Sequence, residues 1–134
     1  MGLPPEKLRE EAARLALRAW CPYSGFHVAA LLEDSEGVLH PGVNVENGSY
    51  GLTICAERGA VLHAVAASAR SFTRIFVHSP DGEPSPCGAC REVLAEFCGD
   101  DLQVIISGPD GIRTVTLGEL LPDRFRREPL PGRD

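Results

Sequence analysis

The sequence predicts an α/β fold on a mixed five-stranded sheet, and three observations carry that prediction. From Cys55 onward, short runs rich in Val, Ile and Phe alternate with stretches of helical period, the pattern of strands and helices sharing a sheet with some parallel strands. Ahead of them, two apolar runs flank the turn Asp34-Ser35-Glu36-Gly37 and read as an antiparallel hairpin. With 134 residues, 43% of them hydrophobic, the chain can bury one sizeable core, so a single domain over 1–134 is expected.

The elements follow in order. Pro4 and Pro5 open an apolar stripe at Leu8, Ala12, Leu15, Ala16 and Ala19, an amphipathic helix with proline in its first turn that stops before Pro22. Phe26 to Leu32 reads as the first strand and Val38 to Val45 as the second. In the second, alternation places Val43 and Val45 on one face and Asn44 and Glu46 on the other. After a Gly/Ser/Tyr loop, Cys55 to Ser68 carries Ala56, Ala60, Ala64 and Ala67 in helical register, so a helix begins at or just after Cys55. Ile75 to Val77 is a third strand. The loop Asp81-Gly82-Glu83-Pro84 leads to Cys87, and Cys90, Val93, Leu94 and Phe97 mark a helix that carries Cys-x-x-Cys at its N-terminus. Val104–Ile106 and Ile112–Thr116 are strands around Pro109-Asp110-Gly111, and Gly118–Leu121 is a short helix. Beyond Pro122 the chain is polar and proline-punctuated, and 126–134 should form a loosely ordered tail.

Composition narrows the function. A net charge of -6, a pI near 5.2 and no basic cluster beyond Arg124, Arg126 and Arg127 argue against a nucleic-acid partner. No apolar run approaches the ~20 residues of a membrane span, and Met1 to Arg9 lacks the apolar centre of a signal peptide, so a soluble cytoplasmic protein is expected. Five cysteines, an odd count without a secretory signal, point to metal or redox chemistry rather than a disulfide framework. Asn44 and Asn47 are the only asparagines, Gln103 the only glutamine and Lys7 the only lysine against twelve arginines, a bias that base composition or a hot habitat would each produce.

Cys55-Ala56-Glu57 and Pro86-Cys87-Gly88-Ala89-Cys90 are the sharpest features, because both stand where helices should start. Unpaired N–H groups and the positive end of the helix dipole lower thiol pKa values, and thiolates bind zinc. Three such ligands leave one coordination position open, the arrangement of a catalytic zinc rather than a structural one. Glu57 is then a candidate to accept and return protons beside the metal. Asn44 and Glu46 offer an amide and a carboxylate suited to sugar hydroxyls. The plainer readings are three buried thiols, a first-turn charge pair for Glu57 and Arg58, a solvated strand face for Asn44 and Glu46, core for Phe26, and a tail anchor for Phe125. Cys21 and Cys98 read as small core residues, and His27, His40, His63 and His78 show no ligand spacing with the cysteines.

Taken with Pro22-Tyr23-Ser24-Gly25-Phe26, Asn44-Val45-Glu46-Asn47, Ser49-Tyr50-Gly51, Cys55-Ala56-Glu57-Arg58 and Leu120-Leu121-Pro122 to Phe125, these motifs resemble the small homotetrameric zinc-dependent cytidine deaminases, over about Tyr23 to Phe125. The resemblance implies a three-layer α/β/α fold and one Zn2+ per subunit on Cys55, Cys87 and Cys90, with Glu57 as the proton shuttle. The reaction would be hydrolysis of cytidine and 2'-deoxycytidine to uridine and 2'-deoxyuridine plus ammonia, a step of pyrimidine salvage. It further implies that Arg58 hydrogen-bonds the thiolates, Asn44 and Glu46 hold the 3'-hydroxyl, and Phe26 packs on the pyrimidine. The Ala56 N–H would bind the base carbonyl and the Pro86 carbonyl the 4-amino group. Tyr50 and Phe125 would reach into a neighbour's pocket, hence a homotetramer. The chain departs from the usual pattern at Ala29, Gly48 and Glu92, the last placing an extra carboxylate near an anionic site.

The rival readings are a structural zinc-binding interaction module with Cys98, Cys21 or His63 as fourth ligand, a thiol-disulfide oxidoreductase, and a deaminase of the same fold acting on another aminopyrimidine nucleoside. A blasticidin-type or RNA-editing enzyme would keep the zinc signature and change the sugar contacts, whereas the Asn44-x-Glu46 pair argues for a free nucleoside.

Overall fold

Pro5 stands in the first turn of a helix, where its missing N–H costs nothing; the computed structural model, which describes residues 2–132, carries that helix, α1, over Pro5–Ala16. The hairpin forms β1 (Ala29–Asp34) and β2 (Leu39–Val43). A single 3-10 turn at Tyr50–Leu52 leads to α2 (Ala56–Ala66), then β3 (Phe72–His78) and α3 (Gly88–Phe97). The chain continues through β4 (Gln103–Gly108), β5 (Gly111–Thr116) and the short α4 (Leu117–Leu120). A capping box closes the start of α4, Thr116 and Glu119 satisfying each other's backbone N–H groups.

The five strands lie in the order β2-β1-β3-β4-β5, with β3 and β4 parallel and every other pair antiparallel. Strand alternation splits the core in two. Ala29, Leu31, Phe76 and Ile105 face Leu8, Ala12 and Ala16 of α1. Ala30, Leu32, Ile75, Val77, Val104 and Ile106 face Ala60, Val61 and Ala64 of α2 and Leu94 of α3. The result is three layers, helix on sheet on helices. Gly42 permits the closest contact between them: a Cβ there would lie 2.3 Å from the Ala56 carbonyl oxygen and 2.4 Å from the Ala60 nitrogen. Only glycine lets β2 lie directly on the first turns of α2.

The hairpin strands are shorter than their apolar runs. β1 starts at Ala29 rather than Phe26, because the N–H groups of residues 26–28 are taken by side chains instead of by a neighbouring strand. Ser24 Oγ accepts the Phe26 N–H, Asp81 that of His27, and Asn44 Oδ1 that of Val28. β2 ends at Val43 rather than Val45, since beyond the Asn44 N–H, which still bonds Val28 O, the chain takes other partners: the Asn44 carbonyl and the Glu46 N–H bond Trp20, and Val45 pairs with Ile54. α2 ends at Ala66 rather than Ser68, where the chain turns through a positive φ of 73°. From Leu121 to Gly132 there is no helix or strand.

Candidate active site

Cys55 and Cys87 occupy equivalent places. Each is the extended N-cap of a helix, at φ/ψ of -72°/157° and -71°/168°, and neither side chain caps its own helix. The sulfurs turn toward each other instead. Cys90, one turn into α3 and fully buried, completes the group: the three Sγ atoms lie within 4.8 Å of one another, with Cys87 and Cys90 at 3.5 Å. Three sulfurs on one tetrahedral zinc stand roughly 3.8 Å apart, so the donor set and its spacing suit that ion. Among the described residues no further His, Cys, Asp or Glu joins the group. Cys21, Cys98 and His63, weighed as a fourth ligand, lie outside it.

Arg58 braces the sulfurs. Its Nη2 donates to Cys55 Sγ at 3.5 Å and to the Thr53 carbonyl at 3.2 Å, while its Nε is buried with no hydrogen-bond partner among the described residues. A guanidinium held this way is oriented for an anionic sulfur cluster. The contact from Cys90, reinforced by Arg58, brings the Cys55 thiol down to about 5. The same contact with Cys55 pushes Cys90 up.

Glu57, two residues after the first sulfur ligand, is 5% exposed in the first turn of α2, and burial pushes its carboxyl up to about 7. Such a group exists as acid and as base near neutrality. Ala56 is buried beside it, at the first position of the helix, where a backbone N–H has no partner within the helix. Pro86 is buried just before Cys87, and its carbonyl accepts from Arg91 Nε at 2.7 Å.

Asn44 and Glu46 do not form an open strand face. Both turn toward the segment 23–28, for the reason that ends β2: the chain there is bound to Trp20 on one side and Ile54 on the other. Asn44, 8% exposed, donates from Nδ2 to the Phe26 carbonyl at 2.8 Å and accepts the Val28 N–H at 2.9 Å. Glu46 accepts the N–H groups of Tyr23 at 2.9 Å and Ser24 at 3.1 Å together with the Ser24 hydroxyl, and the hydroxyl contact holds its carboxyl below the usual range. Phe26 is half-buried against Gly82, whose Cβ, were there one, would meet the ring at 3.0 Å. Tyr23, Ser24, Glu46, Tyr50 and Thr53 line a cavity of about 400 Å³. Tyr50 meets Tyr23 edge-on at 5.9 Å and is 74% exposed; Phe125 is 76% exposed beyond α4.

Several contributors carried no local signal. Asp81 accepts both the backbone N–H of His27 at 2.8 Å and its ring Nδ1 at 3.0 Å, pinning the stretch that carries Phe26, and Ser24 and Arg91 act through partners distant in sequence. Glu92 is exposed and Arg91 does not pair with it.

Residues 4–106 match the family model described as the cytidine and deoxycytidylate deaminase zinc-binding region. A cytidine deaminase of Sporosarcina psychrophila is 42% identical over 127 residues, covering 93% of both chains, and one of Mycobacterium tuberculosis is 41% identical over 126 residues, covering 92% of this chain and 91% of that one. The crystal structure of cytidine deaminase from Burkholderia pseudomallei superposes with a TM-score of 0.86 at 40% identity, covering 92% of this chain and all of that one. With the sulfur group, the adjacent buried carboxyl and the layered sheet all in place, the chain belongs to the cytidine and deoxycytidylate deaminase zinc-binding family.

Proposed function

We propose that this protein, one domain over residues 1–134, hydrolyses cytidine and 2'-deoxycytidine to uridine and 2'-deoxyuridine with release of ammonia. The observation that carries this reading is the group of three sulfurs with buried Glu57 two residues after Cys55. Bound to Cys55, Cys87 and Cys90, zinc supplies the Lewis acidity that brings a water's pKa to roughly 7. Glu57 would take one proton from the attacking water and pass it to ring N3, then take the second from the hydroxyl formed at C4 and pass it to the 4-amino nitrogen, which leaves as ammonia. A carboxyl near 7 serves as both base and acid. Arg58 disperses the charge that three thiolates place on a divalent ion.

The substrate is held by the residues around Phe26, on which the pyrimidine packs. The Ala56 N–H takes the base carbonyl and the free lone pair of the Pro86 carbonyl takes the 4-amino group. Asn44 keeps one amide N–H beyond its bond to Phe26 and Glu46 stays ionised, so both can still address the 3'-hydroxyl. Tyr50 and Phe125, aromatic and exposed, suit a pocket completed by neighbouring subunits, and a homotetramer is the assembly we propose. A free nucleoside as substrate suits a cytoplasmic enzyme of pyrimidine salvage.

Ultraviolet absorbance tests the proposal directly. Purified protein is mixed with cytidine, deoxycytidine or free cytosine, before zinc removal, after it, and after zinc is restored. Zinc-dependent loss of the nucleosides but not of the base is expected, and a zinc-loaded protein that converts none of them is not a deaminase of these substrates.

A further inference from the structure

We propose that Arg91 is a positioning residue for the deamination: it fixes the Pro86 carbonyl and joins the metal-ligand loop to the segment that leads to Phe125. The inference rests on the deaminase reading above. Arg91 follows Cys90 directly in the first turns of α3, and its side chain is half-buried. Its fork is spread over three oxygens on two stretches of chain. Nε donates to Pro86 O at 2.7 Å, Nη1 to Leu120 O at 2.8 Å and Nη2 to Ser85 Oγ at 3.3 Å.

Three features raise this above an ordinary tie. First, the backbone N–H of Arg91 makes the opening helical bond of α3, to the Cys87 carbonyl at 3.0 Å, so the side chain that holds Pro86 O starts from a backbone fixed beside the sulfur ligands. Second, among the described residues Arg91 has no carboxylate partner, and its charge is directed at neutral oxygens alone. A charged donor on a carbonyl makes a stronger and more directional bond than a neutral one. It occupies one lone pair and fixes the plane of the peptide, which sets where the second lone pair points. That second lone pair is the one assigned to the 4-amino group. Third, Leu120 is the last residue of α4, and past it Arg124 is anchored by Asp100 at 2.6 Å and by the Leu121 carbonyl at 3.3 Å. The segment bearing Phe125 is thus tied at its start to the same guanidinium that orients the leaving-group carbonyl.

Lysine cannot replace this geometry. An ammonium on a flexible stem reaches one carbonyl as a point charge, whereas the planar guanidinium holds both in a fixed relation.

The test compares wild-type holoenzyme with Arg91→Lys and Arg91→Gln for zinc content, melting temperature, kcat and KM with cytidine, and the Kd of pyrimidin-2-one riboside, a nucleoside without a 4-amino group. In both variants zinc should remain at one per chain and kcat should fall by about 10- to 100-fold, the scale of a lost charge-assisted hydrogen bond. KM and the affinity for pyrimidin-2-one riboside should move by less than about threefold, well under one such bond. A purely structural role would weaken turnover and pyrimidin-2-one binding together, and that result overturns the proposal. So does full activity in Arg91→Lys, which would make charge alone sufficient. If Arg91→Gln fails to fold, the lysine variant decides by itself. Failure of the deaminase reading shows separately, as a zinc-loaded wild type that leaves cytidine unchanged.

Discussion

The amide nitrogen of Asn44 donates to the carbonyl oxygen of Phe26 across 2.8 Å, and through that bond a residue proposed for the sugar also holds the backbone that carries Phe26. Its carbonyl oxygen takes the Val28 N–H on the other side. Replacing Asn44 with Ala leaves a backbone carbonyl and a backbone N–H, both partly buried, without partners. The expected cost is about 1–3 kcal/mol of folding stability, together with a raised KM for cytidine. Urea denaturation and steady-state kinetics check both; a variant with wild-type stability and KM would show that the brace is idle.

Gly42→Ala probes the contact between β2 and α2. The new methyl would sit well inside the radii of the Ala56 carbonyl and the Ala60 nitrogen, which are backbone atoms and cannot rotate away. Overpacking of this kind costs about 1–3 kcal/mol or more. Because the displaced turn of α2 carries Cys55 and Glu57, zinc affinity should fall along with the melting temperature. Intact zinc binding in a destabilised variant would locate the strain elsewhere.

Glu57→Gln keeps the size and burial of the side chain but can neither accept nor return a proton. Zinc content and melting temperature should stay near wild type, while kcat drops by about 10²–10⁴ or more. Near-normal turnover would remove Glu57 from the shuttle role.

His78 gives the fold a pH dependence of defined sign. It is 4% exposed, with Nδ1 2.9 Å from the Ser107 hydroxyl, and burial, aided by the charge of Arg9, holds its pKa below the ordinary histidine value. The folded chain therefore binds this proton less readily than the unfolded chain does. Its contribution is fully present above about pH 6.5 and is lost as pH falls through that value toward the folded pKa. Denaturation midpoints across pH 5–8 should decline toward acid, and less steeply in His78→Asn; parallel slopes in the two proteins would contradict this.

Removal of the metal should lower stability as well as abolish turnover. Cys55 stands thirty-two positions before Cys87, so an ion on both fastens two helix starts that no disulfide joins. A chelator should depress the melting temperature by several degrees, roughly what 1 kcal/mol or more does to a domain of this size, and zinc should restore it. An unchanged melting curve would mean that the site adds nothing to the fold.

Much of this architecture is legible in the sequence, because what specifies it is local. Cys87 and Cys90 sit three apart at a helix start, Glu57 follows Cys55 by two, and the runs around Ile75 and Ile105 are short, apolar and bounded by turn residues. The limits of β1 and β2 are legible only in part. Asp81 ends the strand reading at His27 from 54 residues away, and Glu46 reaches back 22 residues to Ser24. Apolar alternation continues through Phe26 and Val45 regardless, so periodicity overruns both strands. Arg91 shows the same limit, since nothing beside Cys90 announces that its partner is the Leu120 carbonyl.

Pro41 lies in β2, the outermost strand on one side of the sheet. The Asp34 N–H bonds Val38 O and the Asn44 N–H bonds Val28 O, and counting alternate pairs between those two puts Leu31–Pro41 among the pairs without mutual hydrogen bonds. The ring therefore takes away an N–H that would have pointed outward, toward any strand arriving from solvent. This rim of the sheet is blunted against strand addition and the fibrillar growth it seeds. A second copy of the chain that meets this edge finds its ladder of donors interrupted at the middle of the strand.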